Sequence, residues 1–364
     1  MAISREIANV GIRFDVSELT GALGDSITVL PIVVSLALVT PLSLPHALVG
    51  FGLFQILWGV VYGIPLSVEP MKALAGLAIA GTISLGELVA AGLLAGVVLL
   101  LAGRLGWIGV IERVVDLPVV RGIQLAVALL LGVTGVGLAL ESPLVAAAAT
   151  VVVVLVALAG YRDASALVVL AIGGLVAVAI AGLPAPTLPE PVLFAGGGPT
   201  VSLGALEGAV AQLAMTVGNA AVATALLCSD LFDRDVSADR LAESMGTMTL
   251  AALPLGGLPM CHGSGGLAGK HAFGARTGGA NVILGVGYLG LALVAGVLLA
   301  FPMAMLGVLL VLIGVELART ALSGDDRLLV VAVGVLGVVV NVGAAFVAGA
   351  VAARALRKTD IRGG

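Results

Sequence analysis

Charge is scarce in this chain. Of its 364 residues, 10% are Asp, Glu, Lys or Arg and 60% are hydrophobic, with a mean hydropathy of +1.22. Soluble domains carry about a quarter charged residues to make a polar skin, so a water-soluble fold is excluded. Cysteine is nearly absent: Cys228 and Cys261, both in apolar context, are too few for a disulfide scaffold or a thiolate metal cage and read as packing residues. Aromatics make up 4% against 52 glycines, which favours closely packed helices over bulky cores. A net charge of −4 leaves no nucleic-acid footprint. No G-x-x-x-x-G-K-[ST] phosphate loop occurs, which argues against ATP-driven pumping by this chain, and no nucleophile–base–orienter set or metal cluster suggests an enzyme. The first 19 residues mix Arg5, Glu6, Arg13, Asp15 and Glu18 without an unbroken apolar stretch, so they read as a polar tail and not a cleavable signal.

What remains is long apolar runs such as Val145 to Ala159 and Val330 to Val340. Such runs point to membrane helices and away from a transmembrane barrel, whose segments are short and alternating. At roughly 20 residues per crossing, polar and Gly/Pro breaks place spans near residues 20–42, 46–62, 65–81, 86–103, 118–138, 143–159 and 164–182. A connector, 183–203, precedes seven more near 204–229, 238–256, 260–274, 279–299, 302–318, 326–340 and 342–356. The predicted fold class is an all-α polytopic membrane protein of 14 segments. Its predicted divisions are a tail (1–19), a first repeat (20–182), the connector, a second repeat (204–356) and a second tail (357–364). With this count, 15 of the 17 basic residues fall on one side, among them Arg104, Arg113, Arg162, Arg240, Lys270 and Arg319. The positive-inside rule then sets both termini in the cytoplasm. The exceptions are Arg121, read as snorkelling at the start of its span, and Lys72, inside the third.

An odd number of spans per repeat inverts the second copy, the plan of many secondary transporters. An offset of 194 positions aligns Gly63-Ile64-Pro65-Leu66 with Gly257-Leu258-Pro259-Met260, and Gly24-Asp25-Ser26 with Gly218-Asn219-Ala220. Pro65 and Pro70 break the third span, since proline lacks an N–H and disfavours helix just before it; a half-helix is expected from about Glu69. Gly257, Gly263, Gly265, Gly266 and Gly269 do the same for the tenth. Broken backbone at membrane depth survives only when buried or lining a cavity. Two facing helix starts aim free N–H groups and positive dipole ends at one point, which describes an anion site. Lys72 adds a full charge, and Ser67 and Ser264 add hydroxyl donors. The candidate substrate-binding residues are therefore Ser67, Val68, Glu69, Lys72, Gly263, Ser264, Gly265 and Gly266. Glu69 and Lys72 could equally neutralise each other. Glu69, Asp25, Asn219, His262, Gln55 and Gln124 are candidates for proton coupling or support of the site, with His262 open between a hydrogen-bonded core residue and a relay. Gln55, Gln124, Gln212 and Thr249 fit interhelical hydrogen bonding as well as cavity lining. Asp230, Asp233, Asp235 and Asp239 read as a solvated cluster.

Gly21-Ala22-Leu23-Gly24-Asp25, Pro70-Met71-Lys72, Val120-Arg121-Gly122-Ile123-Gln124-Leu125, Leu227-Cys228-Ser229-Asp230-Leu231-Phe232 and Met260-Cys261-His262-Gly263-Ser264-Gly265-Gly266-Leu267-Ala268-Gly269 together resemble the molybdate transporter family, a branch of the sulfate-permease superfamily. The resemblance runs over nearly the whole chain. It implies a seven-plus-seven inverted repeat in which a core domain (spans 1–4 and 8–11) moves against a gate domain (spans 5–7 and 12–14). Where the family's stretch reads P-V-Q-P-M-K, this chain has Ser67 and Glu69 in place of the Pro and Gln. The implied activity is secondary transport of a tetrahedral oxyanion, molybdate first and sulfate or tungstate next, coupled to protons. The expected partners are that anion, protons, the lipid bilayer and a second copy in a homodimer, with no cofactor, resident metal or nucleic acid; the expected location is a prokaryotic inner membrane. The alternatives are an anion channel and a nucleobase or carboxylate carrier on the same architecture.

Overall fold

A computed structural model describes residues 11–114, 116–324 and 326–363, with the side chains of 27, 28, 114, 163, 219 and 356–363 outside the description. The described chain is almost wholly helical. The first half contains α1 (Val16–Val39), α2 (Leu44–Tyr62), α3 (Lys72–Ile79), α4 (Leu85–Leu105), α5 (Ile108–Val114), α6 (Leu117–Glu141), α7 (Pro143–Leu158) and α8 (Ser165–Ala181). The second contains α9 (Leu203–Met215), α10 (Ala223–Phe232), α11 (Ala238–Ala252), α12 (Ser264–Ala272), α13 (Gly279–Leu293), α14 (Met303–Ala321), α15 (Arg327–Val339) and α16 (Val342–Gly363). A π-helical turn, Thr216–Val222, joins α9 to α10. Among the described residues, six helical stretches are long and apolar enough to cross a bilayer, and several others are apolar but shorter.

The helix starts follow ordinary capping chemistry. Asp15 caps α1 by accepting from the Glu18 amide at 3.0 Å, and the Ser17 hydroxyl at 2.6 Å with that amide holds its carboxyl below the usual carboxylate range. Ser84 and Glu87 form a capping box at α4. Helices pack in pairs: α2 on α13, α4 on α11, and α6 on both α14 and α15. Glycine permits these crossings, since a Cβ at Gly52 would lie 2.8 Å from the Gly285 carbonyl and one at Gly135 2.6 Å from the Gly307 carbonyl.

The structure departs from the sequence expectation at the start of α3. Glu69–Pro70 (β1) pairs antiparallel with Met260–Cys261 (β2), in the register Glu69 with Cys261 and Pro70 with Met260. Met71 then donates its N–H to the Pro259 carbonyl at 2.9 Å. This pairing holds the chain extended past Pro70, so the helix begins at Lys72 and not near Glu69. Carried one residue further, the register sets Val68 across from His262, and these two are 194 positions apart in the chain. The short ladder therefore runs beside the position at which the chain meets the offset that relates the two sequence halves. At 1.5 Å per residue, the eight residues of α3 and nine of α12 span less than half of a ~30 Å hydrocarbon core.

Lys270 lies elsewhere than the charge count placed it. It is in α12, fully buried, and does not belong to a basic loop; its partners at the helix interior offset the cost of burying the charge. Asp239 also departs from its expected solvated role, accepting from the Ile108 amide at 3.0 Å and so starting α5.

Candidate functional site

The starts of α3 and α12 meet at a cavity of about 130 Å³. Glu69, Lys72, Cys261, Gly263, Ser264 and Gly265 line it from the two short elements. Gln212, Met215, Thr216 and Ala220 line it from α9 and the π turn, Gln124 from α6, and Leu317 and Thr320 from α14. π turns recur at functional sites because they re-aim side chains without ending a helix. The side chain of Asn219, in the same turn, lies outside the described residues.

The two helix starts are not equivalent. Gln212 Oε1 accepts from the amides of Ala73 at 2.9 Å and Leu74 at 3.3 Å, while its Nε2 donates to Thr216 Oγ1 at 2.9 Å. A side chain from α9 therefore caps α3, and its positive contribution to the cavity comes from the Lys72 ammonium. The N-cap residue of α12 is Gly263, which has no side chain of its own to cap with. A Cβ built on Gly265 would meet nothing within 4 Å, so the backbone there is open to a ligand.

Behind the cavity wall lies a buried polar cluster. Asp25 Oδ1 accepts from Ser67 Oγ at 2.6 Å, and Oδ2 accepts from Gln55 Nε2 at 2.9 Å and pairs with Lys270 Nζ at 3.0 Å. Lys270 also donates to Gln55 Oε1 at 3.1 Å and Asn281 Oδ1 at 2.7 Å. Asn281 Nδ2 reaches the Leu66 carbonyl at 2.5 Å, and Gln55 Nε2 the Val68 carbonyl at 3.1 Å. These bonds fix the extended strand from two sides, as irregular backbone at this depth requires. Ser67 Oγ also lies 3.2 Å from Glu69 Oε1, so one hydroxyl stands between two carboxylates. Glu69 Oε2 pairs with Lys72 Nζ at 2.5 Å. With all four groups ionised, two carboxylates and two ammonium groups cancel.

Of the residues singled out from sequence, Lys72, Glu69, Gly263, Ser264, Gly265 and Gln124 line the cavity. Ser67, Val68 and Gly266 do not; they stand one layer behind. A Cβ at Gly266 would strike Glu69 Oε1, Ser67 Oγ and Asp25 Oδ1, so this glycine lets α12 approach the carboxylates. Asp25 and Gln55 belong to the buried cluster. His262 turns away from the cavity: its Nδ1 donates to the Ser67 carbonyl at 2.9 Å and its Nε2 lies 2.7 Å from the Ser244 hydroxyl. It pins the two broken segments together. Thr249 does likewise for β2, accepting from the Met260 amide and donating to its carbonyl.

Lys270, Asn281 and the Gln212 cap were missed from sequence. One signal was available: Lys270 stands four residues after Gly266, on the same helix face, which brings it beneath Asp25.

A family profile described as "Molybdate transporter of MFS superfamily" matches residues 17–131 and 204–317. Molybdate transporter 2 of Arabidopsis thaliana is 32% identical over 85% of this chain and 80% of its own length. Molybdate transporter 1 of the same plant is 31% identical, over 86% and 81%. Among solved structures, the transmembrane domain of the cyanobacterial bicarbonate transporter BicA matches at a TM-score of 0.69 with 17% identity, over 92% of this chain and 98% of that domain. At that identity the likeness concerns the fold alone.

Proposed function

Because the chain belongs to the molybdate transporter family, we propose that it is a secondary active transporter of a tetrahedral oxyanion, molybdate first and sulfate or tungstate next, coupled to protons. It is an integral membrane protein of the anion-transporter fold class. The observation that carries the substrate reading is the cavity between α3 and α12, where the Lys72 ammonium, Ser264 and the open backbone at Gly265 converge. A cavity of about 130 Å³ suits one small inorganic anion. It is well below the roughly 300–1,000 Å³ of sites for larger organic ligands, which disfavours a nucleobase or large carboxylate.

Fourteen crossings in two inverted sets of seven are the reading the helix order favours. The antiparallel ladder of Glu69–Pro70 with Met260–Cys261, whose register continues to Val68 opposite His262, supports it. So does the helix pairing: exchange of the two repeats turns the α2–α13 contact into α11–α4, and both occur. In this reading α3 and α12 ride on a core that rocks against α6 and α14, both termini are cytoplasmic, and the substrate is exposed to each side in turn. A proton taken up with the anion would sit on the Glu69 carboxylate, whose Oε1 lies beside the Ser67 hydroxyl that also reaches Asp25.

Binding of labelled molybdate to purified protein, and its uptake into proteoliposomes under a pH gradient with sulfate and tungstate as competitors, tests the proposal. Lys72→Ala is expected to weaken binding about 10- to 150-fold, the value of a charge-assisted contact of roughly 1.5–3 kcal/mol. Unchanged affinity in that variant removes Lys72 from the site. Uptake that passes as single-channel current without saturation supports the anion channel instead.

A further inference from the structure

A second cavity, of about 500 Å³, adjoins the first and shares Gln124 and Thr320 with it as walls. Its walls carry two arginines, Arg113 and Arg121, against one carboxylate, Glu112. Leu117, Val120, Arg121 and Gln124 follow the i, i+3, i+4, i+7 spacing of one helix face, so this face of α6 looks into the cavity and not into lipid. Arg113 is exposed, Arg121 half-buried and Gln124 buried. The sequence therefore steps inward from the mouth to the neck, with about 4.5 Å along the helix between the last two. Arg121 is distinctive in its surroundings. Among the described residues its guanidinium has no hydrogen-bond or ion-pair partner. It lies directly over Gly324, in the turn after α14, where any side chain would collide with it. A planar group with five donors, held over a bare glycine and facing a net positive cavity, is arranged to receive an anion.

We infer that Arg121 is a second anion station, taking up a tetrahedral oxyanion between the mouth lined by Arg113 and the Lys72 cavity. The inference rests on the transport reading above and adds a site to it. A fork-shaped cation suits a tetrahedral dianion because two parallel N–H groups can meet two oxygens. The snorkelling role expected from sequence would turn Arg121 to the lipid surface; its place in the cavity wall favours the inward role. Gln124, at the neck, donates to the Leu317 carbonyl through one Nε2 hydrogen at 3.3 Å, which leaves its second N–H for an anion in passage. A station in the wider cavity is weaker than the enclosed site and more sensitive to salt.

The test is equilibrium dialysis of purified protein with labelled sodium molybdate, repeated as sodium chloride is raised. Wild type is expected to show a tight step and a weaker, salt-sensitive one. Arg121→Gln should retain the tight step and weaken the second about tenfold or more. Arg121→Lys, which keeps charge without the fork, should retain part of it. Gly324→Ala, which leaves Arg121 in the chain but pushes the guanidinium from its place, should weaken the second step as well, so the outcome does not depend on one variant's folding. Lys72→Ala should show the reverse pattern, losing the tight step. A second step unchanged in Arg121→Gln, or its absence from wild type that still binds tightly, overturns the station and spares the transport reading. If wild type binds no molybdate, the transport reading fails and the station with it.

Discussion

Glu69→Gln is the most informative single substitution, because Glu69 is bonded to both halves of the charged cluster. Its Oε2 lies 2.5 Å from the Lys72 ammonium and its Oε1 3.2 Å from the Ser67 hydroxyl. A dianion entering the cavity competes with Glu69 for Lys72 and is repelled by the carboxylate. Coulomb's law at an effective dielectric of about 20 gives roughly 3 kcal/mol per pair of unit charges ~5 Å apart, a gross figure that reorganisation reduces. The measured range for a charge-assisted contact, about 1.5–3 kcal/mol, is the safer guide. Replacing the carboxylate with an uncharged amide should then tighten oxyanion binding at neutral pH by about 10- to 150-fold. The larger signal is in the pH profile. If each anion is taken up with one proton, wild-type affinity falls about tenfold per pH unit. Glu69→Gln has no proton to take and should bind with a flat profile. Calorimetric titration of molybdate between about pH 6 and 8, in buffers of different ionisation enthalpy, reads both the slope and the proton count. Equal slopes and equal proton uptake in the two proteins would falsify this assignment and shift attention to Asp25.

Two further substitutions separate structural from ligand-facing roles. Gly265→Val places a side chain in open space, so the protein should melt as wild type does in detergent yet lose molybdate binding. Gly266→Ala instead drives a methyl group into Glu69, Ser67 and Asp25 and should lower the melting temperature by the equivalent of about 1–3 kcal/mol, the usual cost of overpacking; like behaviour of the two variants contradicts the layering described. Lys270→Met leaves Asp25 buried with its cation removed. A loss of about 3–5 kcal/mol is expected, with partial recovery when Asp25→Asn is added. No recovery in the double variant, read by thermal unfolding, would show that the two residues are not energetically coupled.

The parts of the site legible in the sequence were those with a local signal. Lys72 is a charge inside an apolar run, and intramembrane charges mark function by default. The broken helices announce themselves through Pro65, Pro70 and the glycines after Cys261, because backbone chemistry acts over a few residues. The start of α3 was misplaced since nothing near Glu69 shows that Cys261 pairs with it from 192 residues away. The Gln212 cap spans a separation of 139 and 138 residues; a glutamine in an apolar helix gives no hint of which donors it meets. Lys270 was hidden differently. Close to Arg276 and at the end of a span, it has the sequence context of a loop cation, and only the positions of Asp25, Gln55 and Asn281 show that it points inward.

The cluster's charge balance gives the Glu69 replacement its physical meaning. Asp25 and Lys270 cancel in a fully buried pair, so the charge seen by a ligand is set at Lys72 and Glu69. With glutamine at this position, as in the family pattern, the pair carries a permanent positive charge and the cavity attracts a dianion at any pH where Lys72 is protonated. With Glu69 ionised the same pair is neutral, and the cavity offers only hydroxyl and backbone dipoles. Protonating Glu69 restores the positive charge and turns the acceptor beside Lys72 into a donor. Under the proposed symport, affinity for the oxyanion would depend on a proton at Glu69, next to Ser67, whose hydroxyl also reaches Asp25 at 2.6 Å. The oxygen atoms of Asp25, Ser67 and Glu69 crowd the one face of α12 where Gly266 has no side chain.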